Sequence, residues 1–162
     1  MQLVVESGCT VLQFGIESGS PRILDAIEKG ITLEQIHLVN RCLAAYPIRV
    51  RYNFILGFPD ETDEDVNATL SLISQLQEHN ANVETPFVNL YTPYPGTKLY
   101  ARALELGFQE PQTPADWGRI TWSSGDQLAW LSEQQRTRLK DLNRQFFAKT
   151  AYLEQHGKHD HE

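Results

Sequence analysis

Three segments in which polar and apolar residues alternate are each followed by a segment with the period of an amphipathic helix. The alternating segments cover residues 9–18, 48–57 and 86–91. Alternation with a period of two predicts strands, and a period of about 3.6 residues predicts helices. Because strands that alternate with helices pair through crossover connections, we expect an α/β fold with a parallel sheet.

Capping residues indicate where the expected helices begin. Ser20, followed by Pro21, is the expected N-cap of the first helix, which we expect to continue to Gly30. Thr32 and Gln35 have the spacing of a capping box, which opens the second helix. The expected N-caps of the later helices are Thr62, Thr97 and Ser132.

The amino-acid composition is acidic. The 162 residues carry a formal net charge of -7, and the pI is about 5.2. Because nucleic-acid surfaces need clustered lysine and arginine, we expect no nucleic-acid partner. No stretch approaches the roughly 18 apolar residues of a membrane span, and none resembles a signal peptide. We therefore expect a cytoplasmic protein without membrane contact.

The two cysteines, Cys9 and Cys42, lie far apart in the sequence, and neither belongs to a CxxC pair. We therefore expect no zinc site, no redox pair and no iron-sulfur ligand set from this chain alone. Disulfides are rare in the cytoplasm, so both cysteines are interpreted as buried, apolar thiols.

The turns after the three expected strands combine glycine, proline and carboxylates. They read GIESGS at 15–20, GFPDET at 57–62 and YTPYPGT at 91–97. In parallel α/β folds, ligands bind beyond the carboxyl ends of the strands, where these turns converge. The GxSxG nucleophile elbow and the GxxxxGK and GxGxxG phosphate loops are absent from the sequence. Glu17 keeps two interpretations, a ligand contact and an ion pair with a neighbouring strand.

Three longer segments, taken in order, point to a family: GCTVLQFGIESGSPRILDAIEKG, YNFILGFPDETDED and LYTPYPGTKLYARALELG. They closely resemble the later strands of radical S-adenosylmethionine (SAM) enzymes, and in particular the group that often carries a cobalamin-binding domain. The resemblance is dense over about residues 3–106 and looser in the tryptophan-containing segment that follows.

This resemblance implies the C-terminal half of a partial (β/α)6 TIM-like barrel, that is, three parallel strands with covering helices plus a C-terminal helical extension. Residues 1–107 would form strands four to six of the barrel core. Residues 108–155 would form a loop-rich and helical extension, whose aromatic residues are expected to pack against the sheet. Residues 156–162 are expected to be a disordered tail.

The resemblance also implies which residues bind SAM. Glu17 matches the acidic residue of the fourth strand that approaches the methionine or ribose part of SAM, and Ser18 lies beside it. Ile55 and Gly57 match the GxIxGxxE-like pattern of the fifth strand, which supports the adenine.

The fifth-strand segment departs from the GxIxGxxE-like pattern at its first glycine, and two residues are candidates for its acid. Asn53 stands where the pattern has its first glycine, and Asp60 or Glu61 supplies the acid. In the sixth-strand region, the backbone near Tyr91 is expected to meet the edge of the adenine.

The CxxxCxxC motif, which binds a [4Fe-4S] cluster in this family, does not occur in the sequence. We therefore expect a fragment that contributes SAM-binding strands, with the cluster supplied by a missing N-terminal half in cis or in trans. No catalytic and no metal-binding residue is expected here, so the chain alone is expected to be inactive. Cobalamin would be a cofactor of the full-length parent.

The alternative function is a non-catalytic α/β binding or interaction module that retains the fold and binds no SAM. A small hydrolase that uses Glu17 and Ser18 is disfavoured, because neither a base nor an oxyanion pattern accompanies them. The sequence does not specify a substrate, since members of the family methylate, cyclise, rearrange or insert sulfur.

Overall fold

A computed structural model describes residues 1–156, so all but the first residue of the expected tail at 156–162 lies outside the described residues. The elements in chain order are α1 (Gln2–Glu6), β1 (Val11–Glu17), α2 (Pro21–Ala26), α3 (Leu33–Leu43), β2 (Arg49–Leu56), α4 (Asp63–His79), β3 (Phe87–Leu90), α5 (Lys98–Glu105), α6 (Pro114–Trp117) and α7 (Glu133–His156). Within the described residues, no helix combines the length and the apolar character needed to cross a membrane.

The three strands form one sheet in the order β1-β2-β3, and both pairs are parallel. Parallel strands need long crossovers, which α2 and α3 provide between β1 and β2, and α4 provides between β2 and β3. The expected α/β fold, with three parallel strands and covering helices, is confirmed. The register between β1 and β2 shifts between Gly15 and Glu17, which leaves Ile16 as an extra residue in a bulge.

Alternate residues of β2 face opposite sides of the sheet, as the sequence pattern predicts. The buried face consists of Val50, Tyr52, Phe54 and Leu56, which join the hydrophobic core together with residues of α3 and α4. Arg51, Asn53 and Ile55 are only partly buried on the other face. Because each core side chain removed from water contributes about 1.5–3 kcal/mol, the helix-covered face holds the fold together.

A buried polar cluster ties α3, α4 and β2 together. The carboxamide of Asn40 donates to Leu76 O (2.9 Å) and accepts from the Tyr52 hydroxyl (3.0 Å). The Asn80 carboxamide donates to Asn40 O (3.0 Å). Burial raises the pKa of Tyr52 to about 12, so its hydroxyl remains a donor throughout the physiological range.

The outer edge of β3 is capped by the C-terminal extension. Leu90 N donates to Trp122 O (2.7 Å), and the buried Asn143 carboxamide on α7 donates to Val88 O (2.6 Å). At the opposite edge, no strand among residues 1–156 pairs with the outer side of β1. The sheet is therefore closed by its own chain on one side and open on the other.

The extension packs on the core through leucines and through some of its aromatic residues. Leu128, Leu131 and Leu139 belong to the same buried cluster as the strands, and Trp130 packs against it. Trp117 contacts Phe108, with ring centroids 6.4 Å apart. Trp122 differs, because 44% of it is exposed.

The end of α2 and the start of α5 differ from the expectation. Helix α2 ends at Ala26 and not near Gly30, because Glu28 adopts the left-handed conformation (φ 55°) and Lys29 N donates to Leu24 O (2.9 Å). The Thr97 hydroxyl does not cap α5; it donates to Tyr94 O (2.8 Å) within the preceding turn.

The expectation of two buried thiols is wrong. Cys42 is exposed on the outward face of α3, and Cys9 is only partly buried. The Cys9 thiol donates to Val11 O (3.3 Å) at the start of β1.

Asn143→Ala removes the side chain that caps β3 and leaves the buried Val88 carbonyl without its donor. We expect the free energy of unfolding to fall by about 1–3 kcal/mol. Urea unfolding followed by circular dichroism measures this difference. Gln145→Ala, at an exposed position of the same helix, is the matched control and should change stability by less than about 0.5 kcal/mol. Equal losses for the two variants would show that the cap contributes nothing.

Candidate ligand site at the strand ends

A cavity of about 340 Å³ lies at the carboxyl ends of β2 and β3. Ile55 and Asn89, which pair across the two strands, line its base. Its walls come from the strand-end turns, α5 and the extension, and include Phe58, Tyr91, Tyr94, Lys98 and Trp122. The cavity therefore occupies the edge at which parallel α/β folds bind ligands, and its lining is largely apolar.

Tyr91 places a polar group in this apolar setting. Its ring packs between Phe58 and Trp130, at centroid distances of 5.2 Å and 6.0 Å. Within the part of the chain that the structure describes, its buried hydroxyl and that of Thr92 have no hydrogen-bond partner. Burial raises the pKa of Tyr91, and the neighbouring Thr97 side chain acts in the opposite direction, so the hydroxyl stays protonated. The Thr97 hydroxyl itself donates to Tyr94 O. Two unsatisfied hydroxyls beside a cavity can be satisfied by polar atoms of a ligand.

The backbone of Tyr91 is already engaged. Its N–H donates to Leu56 O (2.8 Å), which continues the pairing of β2 and β3. Its carbonyl accepts from the Gln127 carboxamide (3.0 Å). The expected contact between the Tyr91 backbone and an adenine edge would have to share these two backbone groups with Leu56 and Gln127.

Glu17 ends β1 in a left-handed conformation (φ 73°) that is strained for a residue with a side chain. Its carboxylate accepts from the Lys29 ammonium (3.0 Å), and both side chains are partly exposed. The ion pair joins Glu17 to the turn after α2 and not to a neighbouring strand. The carboxylate also lies directly over Gly15, where a Cβ would collide with it. Gly15 is thus the residue that allows the carboxylate to occupy this position.

Ser18 lies away from the cavity. It is fully buried, and its hydroxyl is 3.2 Å from the Thr69 hydroxyl of α4. Gly19 N donates to the same Thr69 oxygen (2.9 Å), and a Cβ on Gly19 would lie 2.5 Å from Ala68 O. The structure therefore places Ser18 where the β1–α2 turn packs against α4, while Glu17 points to the other side.

Asn53 and Ile55 share the partly buried face of β2 but occupy different surroundings. Ile55 lines the cavity. Asn53 lies one step further from the strand end and accepts a hydrogen bond from the Gln13 carboxamide (3.0 Å). Asn53 is thus part of a polar row across β1 and β2 and is not among the residues that line the cavity.

Gly57 and Glu61 form a closed turn after β2. Gly57 N donates to the Glu61 carboxylate (2.5 Å), and Gly57 has a φ of 87°. A Cβ on Gly57 would lie 2.8 Å from the Leu128 side chain, so the extension packs directly on this turn. Only 8% of Glu61 is exposed, and one of its oxygens is buried without a partner among the described residues. Burial raises the pKa of Glu61 to about 7, although the amides of Gly57 and Phe58 act in the opposite direction.

Two arginines bind the exposed side of the same turn. Asp60 adopts a left-handed conformation (φ 61°), and its carboxylate accepts two hydrogen bonds from Arg102 of α5 (2.7 and 2.8 Å). Arg22 of α2 donates to Asp60 O (2.8 Å) and also pairs with Asp65. Burial acts to raise the pKa of Asp65, but hydrogen bonds from Arg22, Ser20 and Thr62 hold it well below its usual range. The first turn of α2, the turn after β2 and the last turn of α5 are therefore linked by ion pairs.

Two lysines at the strand ends have partners that the sequence does not indicate. Lys29 binds Glu17, and Lys98 lines the cavity while pairing with Glu28 (2.6 Å). Both contacts depend on how the turns fold over the strand ends. No sequence spacing could have indicated the second contact, because 70 residues separate its partners.

The residues that the structure describes do not form a cluster-binding site. Residues 1–156 contain no group of three histidine, cysteine or acidic side chains that could hold a metal ion. Cys9 and Cys42, the only cysteines of the sequence, lie on different elements. Two cysteines on different elements are fewer than the four thiolates that usually hold an iron-sulfur cluster.

Comparison with known proteins identifies this arrangement of strands and turns. Residues 1–73 match the radical SAM superfamily. The match covers less than half of the 162 residues, and over residues 1–73 the chain is similar to the radical SAM superfamily. The match includes β1, β2 and the turns that carry Glu17, Gly57 and Glu61.

Three relatives align over between 93 and 100 residues of the chain. An uncharacterized methyltransferase of Pyrococcus horikoshii is 40% identical over 99 residues, which are 61% of this chain and 20% of that protein. A tRNA-2-methylthio-N(6)-dimethylallyladenosine synthase of Paracoccus denitrificans is 40% identical over 93 residues, which are 56% of this chain and 20% of that protein. Bacteriochlorophyllide d C-12(1)-methyltransferase of Chlorobaculum tepidum is 33% identical over 100 residues, which are 61% of this chain and 21% of that protein. The chain spans about a fifth of the length of these relatives.

Glu61→Gln should change how stability depends on pH. The folded protein holds the Glu61 proton up to about pH 7, whereas an ordinary glutamate loses it near 4.5. The native state therefore binds more protons between these values, and its free energy of unfolding falls as pH rises through this window. At about 1.4 kcal/mol per pH unit, the loss is at most about 3 kcal/mol, and Glu61→Gln should lack it.

Urea unfolding near pH 5 and near pH 8 measures this effect. Glu64→Gln, an exposed position in the first turn of α4, is the control and should keep the wild-type pH dependence. An identical pH dependence for wild type and Glu61→Gln would show that Glu61 is ionised throughout.

Proposed function

We propose that this chain supplies SAM-binding strands of a radical SAM enzyme, and that a second polypeptide segment, in cis or in trans, supplies the cluster and the remaining strands. In this family, a [4Fe-4S] cluster bound by CxxxCxxC provides the electron for reductive cleavage of SAM to a 5′-deoxyadenosyl radical. The observation that carries the proposal is the strand-end cavity, which lies beside residues that match the superfamily.

The cavity fits an adenine better than a charged group. Ile55 offers an apolar surface for the face of a flat ring, and Asn89 on the next strand offers a carboxamide at its edge. The unsatisfied hydroxyls of Tyr91 and Thr92 can bond to ring nitrogens or to the ribose. We therefore assign Ile55 and Tyr91 to the adenine end of SAM.

Glu17 would hold the other end of the ligand. Its carboxylate lies at the end of β1, next to the strand that carries Ile55, and it can accept hydrogen bonds from ribose hydroxyls or from the ammonium of the methionine part. Lys29 balances its charge and orients it. Gly57 and Glu61 act differently in this proposal, because they shape the turn after β2 without touching the ligand.

The open edge of β1 is the proposed attachment site for the missing strands. A groove of about 220 Å³ beside this edge is lined by apolar side chains from β1 and α3, including Phe14, Ile16, Ile36 and Val39. A parallel strand placed against β1 would pair its free backbone groups, and the covering helix of that unit would fill the groove. Because β3 is capped by the extension, the sheet can be extended in this way only at β1.

Three further properties stay predictions. Cobalamin use by the full-length protein, the cytoplasmic location and the absence of a nucleic-acid partner come from the family resemblance or from composition. Two relatives are named for chemistry on a tRNA adenosine and on a bacteriochlorophyllide, and we assign neither substrate to this chain.

Calorimetric titration with SAM tests the proposal, using this chain with and without a polypeptide that carries CxxxCxxC and the preceding strands. We expect binding with the second polypeptide and weaker binding or none without it. Ile55→Ala should raise the Kd about tenfold, since it removes an apolar contact of about 1–2 kcal/mol. Leu70→Ala, at a partly buried position of α4 outside the cavity, is the control and should leave the Kd unchanged.

If SAM fails to bind under both conditions, the proposal is wrong and the chain is a non-catalytic α/β module. Anaerobic reconstitution with iron and sulfide gives an independent result, because this chain alone should show no stoichiometric [4Fe-4S] absorbance. A stable cluster on the isolated chain would overturn the division of ligands between the two polypeptides.

A further inference from the structure

Four aromatic side chains line the strand-end cavity, and three of them already have a ring partner. Phe58 and Tyr91 contact each other, with ring centroids 5.2 Å apart, and Trp122 contacts Phe147, with centroids 5.1 Å apart. Tyr94 is the fourth. Among the described residues, its ring contacts no other aromatic ring and its hydroxyl makes no hydrogen bond. Tyr94 is therefore the aromatic side chain of the cavity that can receive a flat ligand.

The ring of Tyr94 is exposed at the mouth of the cavity. Tyr94 is 59% exposed, whereas Tyr91 of the same turn is 8% exposed. A ring in this position leaves apolar area in water that a ligand in the cavity would cover. Exposure alone does not mark a site, since Tyr152 on α7 is 61% exposed and does not line the cavity. Tyr94 differs from Tyr152 in its place and in its backbone.

The backbone of Tyr94 is held firmly on both sides. Pro93 before it is fully buried, and Pro95 after it restricts Tyr94 to extended conformations. The Tyr94 carbonyl accepts two hydrogen bonds from Thr97, one from its N–H (3.2 Å) and one from its hydroxyl (2.8 Å). Because the backbone is fixed before a ligand arrives, only the two side-chain torsions of Tyr94 lose freedom on binding.

Ile55 and Tyr94 lie at different depths of the same cavity. Ile55 belongs to β2 and pairs with Asn89 of β3, so it forms part of the floor. Tyr94 belongs to the turn between β3 and α5 and lies at the solvent side. A flat ring placed on Ile55 would have its second face directed away from the sheet, toward the mouth. Tyr94 can cover that face without a change in the fold.

We propose that Tyr94 stacks on the face of the SAM adenine that Ile55 leaves uncovered, so that the base lies between an aliphatic floor and an aromatic cover. This inference rests on the proposed function, since it applies only if the cavity holds the adenine of SAM. Bases stack on aromatic side chains because every base has a π-face. Tyr94 thus adds affinity at the adenine end, while Glu17 holds the other end of the same ligand.

Substitutions at Tyr94 separate the ring from its hydroxyl and from general apolar contact. The measurement is the calorimetric Kd for SAM of this chain together with the polypeptide that carries CxxxCxxC. Tyr94→Phe keeps the ring and should leave the Kd unchanged. Tyr94→Ala removes the ring and should raise the Kd about 5- to 100-fold, the range for one stacked base. Tyr94→Leu keeps an apolar contact without the ring, and its Kd should lie between the two.

Tyr152→Ala is the matched control, because it removes an equally exposed tyrosine outside the cavity. It should leave the Kd unchanged. The absorption band of adenine gives a second measurement, since its intensity falls when the base stacks on another ring. The fall at SAM saturation should persist in Tyr94→Phe and be smaller in Tyr94→Leu. Urea unfolding verifies that each variant is folded.

The outcomes distinguish this inference from the proposed function. If wild type and Tyr94→Ala bind SAM with equal Kd, the stacking is wrong and the proposed function stands, with the second polypeptide as the cover of the base. Equal losses for Tyr94→Phe and Tyr94→Ala would also overturn the stacking, because the hydroxyl would then be the contact. If the wild-type pair binds no SAM, the proposed function itself is wrong, and the inference that rests on it is wrong as well.

Discussion

Two hydrogen bonds at the outer edge of β3 determine how the rest of the chain is arranged. Leu90 N and Val88 O, which would otherwise recruit another strand, are taken by Trp122 and Asn143 of the extension. The extension is thereby held against the last strand, from where Leu128 reaches Gly57. A three-stranded parallel sheet has two edges with unpaired backbone N–H and C=O groups, and the described residues supply hydrogen-bond partners at one of them. The direction in which the barrel can be completed follows from that asymmetry.

The turns at the strand ends are positioned by charges and not by their own sequence alone. Arg102 and Arg22 hold Asp60 in a left-handed conformation, and Asp65 joins the first turns of α2 and α4. Each exposed ion pair contributes little to stability, at most about 1 kcal/mol. Their effect is geometric, because they bring three turns to one cavity whose lining is otherwise apolar. The site thus combines an apolar interior with a charged frame around it.

Features that depend on neighbouring residues in sequence could be predicted. The faces of β2, the capping box at Thr32, the N-cap at Thr62 and the parallel order follow from periodicity and spacing. Features set by distant contacts could not. The bulge at Ile16 precedes Glu17 and Ser18, of which Glu17 pairs with Lys29 after α2 and Ser18 packs against α4. Alternation alone could not show this, nor that Lys98 would meet Glu28.

The close contact between Gly15 and Glu17 has a consequence for the position of the acid. A Cβ at position 15 would meet the Glu17 carboxylate, which is the far end of a flexible side chain and can turn aside without a change of the backbone. The cost of a side chain at position 15 would therefore fall on the place of the carboxylate and on its ion pair with Lys29, and not on the fold. In this sense the glycine is a spacer, because it reserves room for the acid on its own strand.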